Sequence, residues 1–104
     1  MYLVHASLRG PRRAEFPVHA GALVLSQADP LDRIEHVVTH AHAVPHPVLG
    51  LYVLAERLED AEARAAGVCR RAVERCPELS GWELVSAQVP LLTLYEDLPS
   101  SGLD

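Results

Sequence analysis

The chain has 104 residues, a formal net charge of −5, 49% hydrophobic residues and 22% charged ones. That is the length of one domain and too apolar a composition for a disordered chain. It is also too acidic for a protein built around nucleic-acid phosphates, which demand concentrated cations.

No apolar run approaches the ~20 residues that span a bilayer. The opening Met1-Tyr2-Leu3-Val4-His5 lacks the basic start and long apolar stretch of a signal peptide. The expectation is a soluble, cytoplasmic protein with no membrane or nucleic-acid partner. Lysine and asparagine are absent and Ile34 is the single isoleucine. Those residues use AT-rich codons, which points to a GC-rich, bacterial genome.

Tyr2 to Leu8 reads as a strand, with Tyr2, Val4, Ala6 and Leu8 on one face and Leu3, His5, Ser7 and Arg9 on the other. Gly10-Pro11 stops it. The run Arg9-Gly10-Pro11-Arg12-Arg13 is the only dense basic one, a solvated loop or a contact for an anion or partner.

Residues 18–42 admit two readings. In one, His19–Ala28 is a short helix rich in Ala and Leu, and 32–41 is a strand carrying the β-branched Ile34, Val37, Val38 and Thr39. In the other, Val18–Ser26 is a strand. A helix then begins at Asp29 as N-cap with Pro30 at its first position, burying Leu31, Ile34, Val38 and Ala41. Architecture favours the first, because it gives the chain the order strand–helix–strand–strand–helix–strand.

Val48 to Ala55 is apolar on both pleat faces, so it belongs in the middle of a covered sheet. Next comes a helix whose stripe Leu58, Ala61, Ala65, Val68/Cys69, Ala72/Val73 and Cys76 recurs at spacings of three and four. Pro77 ends it. Cys69 and Cys76, seven residues apart, are separated by a rise of ~10.5 Å, too far for a disulfide or a shared zinc within one helix. They read as buried, reduced thiols. Trp82 to Val89 is the last strand of the core, with Trp82 and Leu84 opposite Val85, Ala87 and Val89. Beyond Pro90, Leu91–Tyr95 reads as a further short strand.

The fold expected is α+β, a ferredoxin-like βαββαβ sandwich with an extra C-terminal strand. It forms a single domain over 1–98, followed by a frayed tail at 99–104. Its first and third strands are central and its second is an edge, where Arg33, Glu35 and the histidines are at home. Since the third strand has no polar side, something must cover the face away from the helices: a second subunit, giving a dimeric α+β barrel, or segment 91–95.

Histidines are the unusual feature: His36, His40, His42 and His46 lie within eleven residues, with His5 and His19 elsewhere. On a strand His36, His40 and His42 share a face with Ile34 and Val38; on a helix His36 and His40 are neighbours. Strand spacing separates His36 from His40 by ~13 Å and His40 from His42 by ~7 Å. No specific metal site is therefore expected. Edge and loop imidazoles are the plainest reading, a general acid or base the sharper one. Gly50 inside the central strand opens room beside Tyr52 for a ligand, or else for helix packing.

Other templates fail on named residues. Residues 8–11 do not make a phosphate loop, no Gly-x-Ser-x-Gly elbow occurs, and residues 5–16 contain no Cys-x-x-Cys. The central strand offers one aromatic and no cation for RNA. In architecture the opening Met1–His5 and the apolar Pro90-Leu91-Leu92 stretch resemble small dimeric α+β barrel isomerases and monooxygenases. No motif accompanies that likeness and no catalytic residue is carried across.

Two functions stand as expectations. One is a non-catalytic module that homodimerises through its sheet and binds a protein partner or small ligand at Gly50 and Tyr52. The other is a cofactor-independent isomerase, cyclase or monooxygenase acting on a small hydrophobic substrate, with His5, His36 and Tyr52 as candidate catalytic residues. Neither reading calls for a cofactor.

Overall fold

The computed structural model describes residues 1–90. The elements are β1 (Tyr2–Arg9), α1 (Ala20–Ser26), β2 (Ile34–His40), β3 (Val48–Val53), α2 (Leu58–Arg75) and β4 (Glu83–Gln88), with 3-10 turns at Pro30–Asp32 and Pro77–Leu79. The strands form one sheet in the order β2-β3-β1-β4, every neighbouring pair antiparallel. The result is an α+β fold with β1 and β3 central and β2 at an edge. The expected strand at 91–95 and tail at 99–104 lie outside the described residues.

Alternation explains the core. Val4, Ala6 and Leu8 of β1 and Leu49, Leu51 and Val53 of β3 are buried together with Val37 of β2, and all join one cluster with residues of both helices. From α2 the cluster takes Ala61, Ala65, Val68, Cys69 and Ala72. Three of those five are alanines, which lets the helix axis lie close to the sheet. Cys69 is fully buried, and desolvation pushes its thiol up to about 12 despite the nearby Arg70 charge. It is an inert packing residue.

The strand reading of the ambiguous segment is the one that forms, over Ile34–His40, while the helix before it is shorter than His19–Ala28. Helix initiation at Asp29 and a strand over Val18–Ser26 do not occur. The capping signal nonetheless operates: Asp29 accepts from the Leu31 N–H, and Asp32 accepts from the Asp29 N–H. That box closes a single 3-10 turn, and Arg33 in the left-handed region (φ 58) then redirects the chain into β2. Arg71 of α2 ties this corner down, donating to the Gln27 carbonyl at 2.6 Å and to Asp32 at 2.9 Å. Burial would raise the Asp32 pKa. The hydrogen bonds from Arg71 and the Asp29 N–H, with the charges of Arg71 and Arg64, outweigh it and hold the carboxyl below its usual value.

Two bulges correct the simple alternation. The β2–β3 register shifts between Ile34 and His36, so Glu35 is the extra residue and Ile34 packs with the core instead of sharing a face with His36. The β1–β4 register shifts between Ser7 and Leu8. Leu84 and Ala87, expected on opposite faces, therefore both pack against the core.

α1 lies against β2 at Gly21, whose N–H donates to Thr39 Oγ1 at 2.8 Å. A Cβ there would stand 2.7 Å from that oxygen and 3.1 Å from the Val37 carbonyl oxygen. The hydroxyl could rotate, but the sheet backbone cannot yield. Gly21→Ala should therefore destabilise the protein by roughly 1–2 kcal/mol, overpacking outweighing the gain in helix propensity. Urea denaturation checks this, and an unchanged or higher midpoint would contradict so tight a contact.

Candidate functional site

The face of the sheet turned away from the helices carries the candidate residues, and strand register arranges them in rows. Tyr52 lies between Leu3 and His36, Gly50 between His5 and Val38, and Val48 between Ser7 and His40. His5, His36, Gly50 and Tyr52 thus share one surface, as alternation requires on antiparallel strands. The alternative use of Gly50, making room for a helix, does not apply, because the helices lie on the opposite side.

Gly50 is the floor of a notch. A Cβ built on it would stand 3.4 Å from Leu3 Cδ1, 3.8 Å from His40 Nε2 and 3.9 Å from His5 Cδ2. The two imidazoles flank the bare backbone with centroids 6.3 Å apart, edge to face at 62°. The His36 ring lies 6.0 Å from the Tyr52 ring, tilted by 34°. Beside the notch a shallow depression of about 580 Å³ opens, lined by His5, Thr39, His40, Ala41, His42 and Val48 among others.

Burial against the sheet is the main reason the His5 pKa lies below its ordinary value of 6.5, and repulsion from a charged His40 adds to it. His5 is accordingly neutral at physiological pH, able both to accept and to donate a hydrogen bond. Among the described residues, neither His5 nor His40 has a carboxylate partner that would fix its tautomer and stabilise an imidazolium. The base–orienter half of a nucleophilic triad is therefore missing there. Nor do three or more His, Cys, Asp or Glu side chains converge among the described residues so as to hold a metal ion.

Sequence reasoning paired His40 with His36 or His42. The neighbour it finds is His5, on a strand that does not even touch β2. His42 falls in the turn after β2 and so leaves the strand face it was assigned. A signal for the His5–His40 approach lay in Gly50 itself: a residue without a side chain between two strands lets groups on either flank lean together.

Compared with known proteins, the chain matches no protein family, no curated protein and no solved structure. Among the described residues, no helix is long and apolar enough to cross a membrane.

The lowered His5 pKa has a measurable sign. Because the folded state disfavours the imidazolium, the contribution of His5 to stability is complete above its unfolded value of 6.5. It declines as pH falls below that value and levels off once the native site is protonated. An NMR titration should place His5 below 6.5 in the native protein. His40→Ala should raise it part of the way, since burial is the larger cause. A His5 titration at or above the unfolded value would refute this account.

Proposed function

We propose that the chain is a ferredoxin-like α+β module that homodimerises through the open face of its sheet, as dimeric α+β barrels do. In this reading it is non-catalytic and holds a small, largely apolar ligand in the notch over Gly50. The observation that carries it is the composition of that face. Its rows present the half-buried Leu3, Tyr52, Val38 and Val48 on the side of the sheet away from the helices. His36, His40, Gln88 and the Arg9–Glu83 pair stand toward the edges, while His5 and Ser7 interrupt the apolar rows on central β1. An apolar middle with a polar rim is the anatomy of an interface. The βαββαβ order and the strand arrangement β2-β3-β1-β4 support the ferredoxin-like assignment.

A second reading has one observation in its favour. His5, neutral and beside an apolar notch, is suited to take a proton from a bound hydrophobic substrate, with Tyr52 and His36 on the same face. This is the cofactor-independent enzyme of isomerase, cyclase or monooxygenase type.

Light scattering on a size-exclusion column at micromolar concentration should return twice the chain mass. Val38→Glu, which plants a charge beside Gly50 on the apolar part of the face, should return a monomer with unchanged circular dichroism. A wild-type monomer would defeat the dimer, and a species containing another protein would redirect the face to a heterologous partner.

Gly50→Ala separates ligand from fold. Its Cβ meets neighbours only at ordinary contact distances, so stability should hold or rise by about 0.5–1 kcal/mol, while ligands seen by ligand-observed NMR lose their fit. Mass spectrometry of those ligands after incubation then decides between the readings. Recovery unchanged supports binding; conversion abolished by His5→Gln supports the enzyme.

A further inference from the structure

A second cleft lies at the end of the sheet where β1 and β2 finish and β3 and β4 begin. The pairings Ser7 with Val48, His40 with Val48 and Arg9 with Glu83 bring those four strand ends together. The β1–α1 loop, the β2–β3 turn and the approach to β4 therefore meet there. They enclose a cleft of about 570 Å³, a size typical of small-molecule sites.

The cleft is basic in an acidic protein. Its lining includes Arg12 and Arg13 from the β1–α1 loop, His42 and His46 from the β2–β3 turn, and the aromatic residues Phe16 and Trp82. Their rings pack edge to face with centroids 4.8 Å apart. Arg9 also lines it but is engaged by Glu83, and Glu15 is the one carboxylate in the lining. Arg12 and Arg13 make no ion pair among the described residues. They occupy the middle of a turn closed by the Ala14 N–H on the Pro11 carbonyl at 3.0 Å, with Arg13 at φ 66. That turn fixes where both side chains originate.

We propose that this cleft binds a small organic anion through a phosphate group. Guanidinium presents a planar fork that pairs bidentately with phosphate oxygens. Two such forks on one short turn, with two imidazoles in the same lining, can surround a tetrahedral oxyanion. The usual phosphate loop is absent, so recognition here belongs to side chains and not to backbone N–H groups. The cleft borders the recess beside Gly50 at Ala41 and His42 but opens at the strand ends, and it does not depend on the dimer.

Trp82 is the only tryptophan in the chain, so its fluorescence reports on the cleft. Titration with phenyl phosphate and with inorganic phosphate, at ionic strength held constant with chloride, should give a saturable response. Amide shifts in the wild type should be confined to residues 10–18 and 41–47 and Trp82. The double variant Arg12→Ala/Arg13→Ala should weaken affinity at least about tenfold, while Arg70→Ala, exposed on α2, should not. Both arginines are exposed, so the fold should survive, and circular dichroism confirms that. A non-saturable response, shifts outside the three segments, or equal affinity in wild type and double variant would overturn the site. Acetate binding as tightly as phosphate would overturn the choice of phosphate.

Discussion

The hydrogen bonding of β3 along both its edges is the constraint on which the rest depends. Residues 48–53 pair with β1 on one side and β2 on the other, so their register is set twice. A shift by one residue would carry Leu49, Leu51 and Val53 from the helix side to the open side and expose the heart of the core. The same register places Gly50 between His5 and Val38. Core and candidate site are thus two faces of one decision: the pairing that buries Leu51 also aligns the notch.

Among the described residues, three side-chain contacts around that core are directed at the ends of elements. Arg64 donates to the Leu54 carbonyl just past β3, Arg71 to the Gln27 carbonyl just past α1, and the Val89 N–H just past β4 donates to Glu62. Each satisfies a backbone group that regular structure leaves unpaired. All three partner side chains come from α2, so this helix covers the apolar sheet and also secures three chain exits. The Arg9–Glu83 pair, by contrast, is exposed on both sides and contributes at most about 1 kcal/mol. Its significance is local: it occupies one arginine of the basic cleft and leaves Arg12 and Arg13 without an ion pair among the described residues.

What could be read from sequence was whatever depended on a single element. The α2 stripe and the doubly apolar strand were legible because burial imposes a period on one stretch of chain. Leu58–Arg75 and Val48–Val53 formed close to where that period runs. The segment 29–42 was harder because two local signals competed. Asp29-Pro30 is a sound helix start, but the β-branched run from Ile34 is worth more once it pairs with β3, and the cap closes one turn only. The bulges at Glu35 and after Leu84 could not be read, since an extra residue appears only against a partner strand. The approach of His40 to His5 is of the same kind, except that Gly50 marked the gap between them. It depends on two registers and a missing side chain, none of them visible in the spacing of histidines along the chain.

The two depressions share a wall. Ala41 and His42, in the turn between β2 and β3, line both the recess beside Gly50 and the basic cleft at the strand ends. The turn is held at its start by the Ala43 N–H on the His40 carbonyl, and its far end is joined to β1 through the Leu8 N–H on the Pro47 carbonyl. Between those bonds the segment carries His42, Val44 and Pro45 into solvent. The histidine face and the arginine cleft therefore border one another at the surface segment 41–47 and not across the core.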